Sequence, residues 1–393
     1  MEKNLNFEKI INRNGTNCLK YDFKSERNRP EDVLPLWVAD MDFQTSSYVI
    51  EALIKTSKHG IFGYSEAKDE YFEAVSKWMK VHHDWTIKKE WLVKTPGVVF
   101  ALAIAIKAFS KRGDSILIQE PVYYPFSEVI RNNDRVVVSN DLFLGSDGKY
   151  HVNFKDFEEK IKKNNVKLFI LCSPHNPVGR VWTKDELVKM GDICLKYGVL
   201  VVSDEIHNDF AFDKKHIIFS SIKKEYENNS IICTSPSKTF NIASMLISNI
   251  FISNKKNRIK FQKEYEATGM SQLSIFGIIA TQVAYEKGEI WYEAMIDYIK
   301  ENILFTKEFV KKNLPNVSVI DSEGTYLLWL DFRKTGLEME KLDKKIIFDA
   351  KLWLDSGKIF GKSGIGFQRI NVACPRAVLK KALNNISEAM KNC

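Results

Sequence analysis

The sequence predicts an α/β fold in which a mostly parallel central sheet, covered by helices, is followed by a smaller α+β domain. Three observations carry that prediction. The chain has 393 residues, past the roughly 250–300 at which one hydrophobic core usually splits into two. The β-branched runs SILIQE, RVVVS, KLFILCSP, GVLVVSDE and SIICTSP alternate with amphipathic stretches such as TKDELVKMGDICLKYG. Closer to the end, NVSVIDSEGTYLLWLDF, a helical stretch, RINVA and PRAVLKKALNNISEAM mix strand and helix patterns.

Each element follows from its pattern. Continuous apolar strands separated by helices belong to a parallel sheet buried on both faces, and that pattern spans residues 46–285, the expected large domain. The mixed pattern after it marks a small α+β domain over 286–393. Residues 1–45 are irregular and are expected to pack with the small domain and against the large one. No repeat or low-complexity linker interrupts this order.

Composition narrows the function classes. A net charge of +8, with basic and acidic residues interspersed, argues against a nucleic-acid partner. No run approaches the ~18 apolar residues of a membrane span, and MEKNLNFEKI has no apolar leader core. A cytoplasmic protein with no membrane partner is the expectation. Its six cysteines (Cys18, Cys172, Cys194, Cys233, Cys374 and Cys393) form no CxxC pair and no metal-ligand rhythm, so they are expected to be reduced thiols, with no bound metal.

In open α/β sheets the chemistry collects at the carboxyl ends of the strands. Here SILIQE runs into PVYYPF, KLFILCSP into HNPVGR, GVLVVSDE into IHNDF and SIICTSP into SKTF. These ends deliver an aromatic pair, an Asn in a Pro-bounded turn, paired carboxylates with a His, and one Lys. In EWLVKTPGVVFALAIAIKAF, Gly97 stands at a strand-to-helix junction. There the N–H groups of Gly97, Val98 and Val99 and the helix dipole favour an anion such as phosphate. Ser235 and Ser237 add hydroxyls just before Lys238, so an anion would sit beside that amine. Desolvation and positive potential lower a lysine's pKa and free the neutral amine to form a Schiff base with a carbonyl. A solvated surface lysine is the ordinary alternative; the company Lys238 keeps argues against it.

With these motifs in order, the chain resembles the fold-type I pyridoxal-phosphate enzymes of the class I/II aminotransferase superfamily. SPSKTFN resembles the Schiff-base lysine motif, SPHNPVGR the N-P-x-G-R/K turn, and VVSDEIH the strand carrying the pyridinium-binding aspartate. More narrowly, PLWVADMDF, FGYSE, TPGVVFAL, PVYYPF, DEIHNDF, SKTFNIAS and RINVACPR resemble the cystathionine β-lyases (C–S lyases) of the MalY/PatB type. The resemblance implies the aspartate-aminotransferase fold and pyridoxal 5′-phosphate on Lys238. It implies that Asp204 bonds the pyridine nitrogen, that Tyr123 stacks on the ring with Tyr124 as packing, and that Asn176 donates to the phenolic oxygen. His207 stands where many transaminases have a tyrosine, and either adjoins the cofactor or is a structural histidine. Arg369, in QRINVA, implies a clamp on an amino-acid substrate's α-carboxylate. Tyr64 implies a homodimer with shared sites, reaching the phosphate of the neighbouring subunit. Trp37, Ala39 and Asp40 would cover the substrate from the N-terminal segment.

Two features depart from simple matches. Many aminotransferases hold the phosphate with an arginine a few residues after the Schiff-base lysine, whereas this chain reads NIASMLIS. GKIFGKS, residues 357–363, imitates a Walker A loop with one residue too few between its glycines and in the wrong context. The implied reaction is β-elimination from an amino-acid thioether, giving a thiol, pyruvate and ammonia. Transamination is the alternative fate of the same carbanion, and a non-catalytic sensor would need a DNA-binding module for which the chain leaves no room.

Overall fold

The structure, a computed structural model, describes residues 5–391; Cys393 lies outside them. Helices α1 (Ser47–His59) and α2 (Asp69–His83) precede strand β1 (Leu92–Thr95) and helix α3 (Val98–Phe109). Strands β2 (Ser115–Ile118), β3 (Val136–Ser139) and β4 (Leu168–Cys172) follow, then helix α4 (Lys184–Tyr197). Next come β5 (Leu200–Asp204), β6 (Ser230–Thr234) and β7 (Ser248–Phe251). These seven strands form one sheet in the order β1-β7-β6-β5-β4-β2-β3. Only β7 runs antiparallel to its neighbours. The five sequence runs land on five of these strands and EWLVKTPG supplies β1; β7, from the short SNIF, is the strand no motif announced.

The two faces of the sheet separate by the period-2 alternation of strand side chains. Ile116, Ile118, Ile170, Val202 and Ile231 pack beneath the nearly all-apolar helix α3, which buries Ala101, Leu102 and Ala105 against them. Leu117, Phe169, Leu171, Val201 and Ile232 face the opposite layer. Helix α4 begins with a capping box between Thr183 and Glu186 and stops at Gly198, whose φ of 66° the absent Cβ permits.

After the long helix α5 (Glu289–Asn313), strands β8 (Ser318–Val319), β9 (Leu327–Asp331), β10 (Asp355–Ser356) and β11 (Phe367–Asn371) form an antiparallel sheet in the order β8-β9-β11-β10. Helix α6 (Arg376–Met390) closes the chain. The GKIFGKS segment makes two short turns, Gly357–Phe360 and Lys362–Gly364. A Cβ on Gly357 would lie 1.9 Å from the Gly364 carbonyl oxygen, so these glycines serve backbone packing.

The N-terminal segment is irregular but firmly held. Leu34–Pro35 pairs in parallel with Leu352–Trp353, and the Asp42 N–H bonds the Ala373 carbonyl at 3.0 Å. The Asn371 amide donates to the carbonyls of Val38 and Asp40, each at 2.7 Å. From the large sheet's side, the Asn241 amide donates to the carbonyls of Met41 (2.9 Å) and Phe43 (2.8 Å) and accepts from the Met41 N–H (2.9 Å). Behind this strap lies a charge cluster: Lys20, fully buried, meets Asp42 at 2.9 Å, and Arg13 meets Asp42 at 2.7 Å and Asp40 at 2.5 Å. Burial disfavours the Lys20 cation, but Asp42 and Asp40 overcome it and raise its pKa.

Among the described residues no helix is long and apolar enough to cross a membrane, no cluster of potential metal ligands occurs, and the five cysteines are unpaired.

Asp42→Ala would leave the buried Lys20 charge with only the more distant Asp40, at 3.6 Å. It should lower stability by about 3–5 kcal/mol, the usual cost of removing one partner of a buried pair, measured as a shift of the first unfolding transition in urea.

Candidate active site

The carboxyl ends of the central strands meet at a cavity of about 440 Å³. Strand β6 ends at Thr234, and Ser235 caps the short helix Pro236–Thr239 by accepting from the Ser237 N–H at 3.1 Å. That turn drives Lys238 into the cavity wall, where its Nζ donates to the Ala39 carbonyl at 2.8 Å. Burial pulls the Lys238 pKa down to about 8; Arg369 adds to the effect, while Asp40 and Asp204 oppose it.

Asp204, the last residue of β5, lines the same cavity. One oxygen accepts from the Ile206 N–H at 3.1 Å. No cation pairs with it at ion-pair distance among the described residues, and burial pushes its carboxyl up to about 7. His207 also lines the cavity; its Nδ1 makes no hydrogen bond, and burial, with Lys238 and Arg369, keeps the ring neutral.

Gly97, Val98 and Val99 form the end of the cavity at the start of α3. The first intrahelical bond runs from the Ala101 N–H to the Gly97 carbonyl at 3.0 Å, so the N–H groups of Val98 and Val99 have no partner within the helix. A Cβ built on Gly97 meets no protein atom within 4 Å, which leaves open space beside that backbone. Tyr123 and Asn176 complete the wall, joined by a 3.0 Å bond from the Tyr123 N–H to the Asn176 carbonyl. Tyr124 turns away and meets the ring of Phe360 edge-on.

These residues fit pyridoxal phosphate on structural grounds. A buried carboxylate without a cation suits a ring N–H⁺, and the helix opening suits the phosphate. A desolvated amine between them suits the aldehyde. Asn176 has its Oδ1 occupied by Arg369 Nη1 at 2.9 Å, leaving its Nδ2 donor for an oxygen. In the segment NIASMLIS after Lys238, which carries no arginine, Leu246 lines the cavity, with φ of 51°.

Three expectations need correction. The Ser235 hydroxyl is committed to the Ile247 carbonyl (2.8 Å) and to its capping role, so Ser237 is the hydroxyl left for an anion. Trp37 stacks on Trp353 at 4.4 Å, and its carbonyl accepts from Arg369 at 2.9 Å. The Asp40 carboxylate faces Arg13 and Lys20 behind the strap because those cations, against the cost of burial, hold it ionised there. Of the three strap residues expected at the substrate, only Ala39 lines the cavity. Tyr64 is 96% exposed and borders a separate hollow with Tyr48 and Lys287, apart from the Lys238 of its own chain.

Sequence reading missed several positioning residues. Tyr326, fully buried, shares the Ala39 carbonyl with Lys238 through a 2.9 Å bond. Asn241 and Asn371 were visible in SKTFN and RINVA, the latter two residues after Arg369 and so on the same strand face. Asp209 accepts from Thr239, the neighbour of Lys238, at 2.5 Å, and from Trp78 at 3.1 Å, with His83 at 2.8 Å from the same carboxylate. A carboxylate five residues past a strand end carries no local sign of such a role.

Known proteins share this architecture over its full extent. The family Aminotransferase class I and II matches residues 31–386. Cystathionine beta-lyase PatB of Bacillus subtilis (strain 168) is 40% identical over 387 residues, covering 98% of this chain and 100% of that protein. Cystalysin from Treponema denticola, whose crystal structure contains pyridoxal 5′-phosphate, superposes with a TM-score of 0.95 at 39% identity, over 98% of this chain and 99% of that one. A PLP-bound protein from Clostridium difficile 630, described as an aminotransferase, superposes with a TM-score of 0.96 at 42% identity, over 98% and 100% of the two chains.

A lysine with its pKa near 8 is reactive where ordinary lysines, at 10.5, are still protonated. Cofactor-free protein treated with a small aldehyde and cyanoborohydride at pH 8 should be alkylated first on Lys238, as read by peptide mass mapping. Labelling spread evenly over the surface lysines would contradict the burial of this amine.

Proposed function

The chain belongs to the class I and II aminotransferase family, and on that footing we propose that it is a pyridoxal-phosphate-dependent carbon–sulfur β-lyase acting on an amino-acid thioether such as cystathionine. The observation that carries the choice within the family is the 40% identity with a cystathionine β-lyase across 98% of the chain. Bound in the cavity, pyridoxal phosphate supplies an aldehyde that joins to an amine and a pyridinium ring that accepts the electron pair left at Cα.

The roles follow from where the side chains stand. Lys238 would hold the cofactor's aldehyde, and its Nζ, when free, would take the Cα proton; an amine near pKa 8 is well matched to that task. Asp204 holds the proton on the ring nitrogen, and a cation opposite it would offset the burial that lifts its carboxyl toward 7. The N–H groups of Val98 and Val99, beside Gly97, hold the phosphate together with Ser237. Tyr123 covers the ring, Asn176 donates to the phenolic oxygen, and His207 closes the wall as a neutral ring. Arg369 binds the α-carboxylate. Once the Cα proton is gone, loss of the thiolate from Cβ and addition of water give a thiol, pyruvate and ammonia.

Further parts of this reading concern the whole molecule. A division into a segment 1–45, a large domain over 46–285 and a small domain over 286–393 is supported by the separate seven-stranded and four-stranded sheets. The exposed Ile61, Phe62 and Tyr64 support a homodimer in which Tyr64 reaches the partner's phosphate. A cytoplasmic location accords with reduced thiols.

Holoenzyme given cystathionine alone should form pyruvate and ammonia over many turnovers. Turnover only with an amino acid and a 2-oxo acid together would identify a transaminase instead. Arg369→Ala should raise KM and lower kcat/KM by the equivalent of about 2–5 kcal/mol, the range for a buried charge-assisted contact.

Mixing Lys238→Ala protein with Tyr64→Phe protein should create hybrid dimers in which one site has both residues intact. Activity above either parent is the expected outcome. No gain, with subunit exchange demonstrated, would place Tyr64 within its own chain's chemistry or outside it.

A further inference from the structure

Arg369 does not wait with open hands. It faces Asp355 directly across the pairing of β11 with β10, and the two form an ion pair through Nη2. Both are buried, at 2% and 5% exposure. The second Nη2 bond goes to the Trp37 carbonyl at 2.9 Å, and one Nη1 bond goes to Asn176 at 2.9 Å. Phe360 covers the guanidinium at 4.8 Å, and Nε makes no hydrogen bond.

A bidentate grip on a carboxylate uses two parallel N–H groups on one edge of the guanidinium, either Nε with Nη2 or Nη1 with Nη2. Both edges need an Nη2 proton, and both Nη2 protons are committed. One acceptor must therefore yield when a substrate carboxylate is gripped. The Trp37 carbonyl belongs to the strap that Asn371 and the Leu34–Leu352 pairing fix in place. That leaves Asp355 as the acceptor to yield, and it bears the same charge as the incoming group.

We propose that Asp355 is an internal stand-in for the substrate's α-carboxylate: it occupies Arg369 in the free enzyme and gives way when an amino acid binds. The proposal rests on the reading of Arg369 as the α-carboxylate site. A second cation acting on Asp355 is Arg29, whose guanidinium lies 5.5 Å from the Trp353 ring centre and whose Nε has no hydrogen bond, so the released carboxylate has a positive neighbour. Asp355 is thus a specificity-determining residue. Only an amine that brings its own carboxylate can displace it, and simple amines face a site whose guanidinium is already satisfied.

The test uses holoenzyme and the visible absorption of its bound cofactor. L-Alanine, which has no β leaving group, and ethylamine, which has no carboxylate, are titrated against wild type, Asp355→Asn and Arg369→Lys. Removing the competitor should tighten L-alanine on the order of tenfold, the gain from freeing a binding-competent state, and leave ethylamine unchanged. Unchanged L-alanine affinity in Asp355→Asn, or an equal gain for ethylamine, overturns the proposal. Arg369→Lys separates the premise: if the preference for L-alanine over ethylamine survives it, the reading of Arg369 fails. If the preference is lost but Asp355→Asn changes nothing, only the present proposal fails. Should Asp355→Asn not fold, Asp355→Ser replaces it. Wild type also answers without a variant: with ¹³C-aspartate labelling, L-alanine but not ethylamine should shift a buried carboxylate band in the infrared difference spectrum, and no shift overturns the proposal.

Discussion

The site depends on keeping one amine dry. Lys238 is a cation's side chain placed where burial disfavours the charge, half-buried in the cavity wall, and among the described residues its hydrogen bond goes to a neutral carbonyl, that of Ala39. Much of the surrounding structure serves this constraint. The capped turn after β6 aims the side chain inward, and the strap closes over it. The Asp209 network fixes Thr239 beside it, and Tyr326 binds the same carbonyl from the opposite sheet. Charges that could have stabilised the ammonium are held back: Asp40, the strap carboxylate next to Ala39, is turned away and neutralised by Arg13 and Lys20. Asp204 shares the cavity, yet burial weakens its own ionisation. The desolvated amine and the desolvated carboxyl move toward each other in pKa, one down and one up. That convergence is what a site for proton transfer near neutral pH requires.

How much of this was legible in the sequence depends on how local each feature is. The five parallel strands were readable because burial on both faces leaves an unbroken β-branched run with a turn residue after it. The residues at those strand ends, Lys238, Asp204, Asn176 and Tyr123, were readable for the same reason. Strand β7 was not, because SNIF is short and carries a buried Ser and Asn that pair with neighbours rather than announce a strand. Side-chain direction was also hidden. Nothing within VADMDF tells which way Asp40 points; the answer lies with Lys20, 20 residues earlier in the fully buried core, and with Arg13. The Arg369–Asp355 pair depends on the register of two strands 14 residues apart, which no single stretch encodes. The same is true of Ser235, whose hydroxyl was free on paper and is spent on Ile247 in the fold.

The two asparagines that grip the strap show how one chemical device solves a structural problem from two sides. Each places a side-chain amide on strap carbonyls that have no sheet to join, Asn241 from beside Lys238 and Asn371 from beside Arg369. An irregular segment buried between two sheets would otherwise carry unsatisfied backbone groups at about 1–3 kcal/mol each. The irregular backbone can therefore pass through the interior, with its carbonyls serving as acceptors for the functional side chains.

That arrangement has a consequence for how the protein comes to be made. The strap leaves the ribosome long before its partners: Val38 waits for Asn371, 333 positions later, and Asp42 for Ala373. Contacts of such separation are the slow ones in folding. The central sheet, complete by Phe251, can assemble during synthesis while the strap is still without its clamp. The lid over Lys238 thus locks only once Asn371 and Ala373 have emerged, and until then the nascent cavity stays open to solvent, which is when a cofactor of this size can enter without having to pry the strap away.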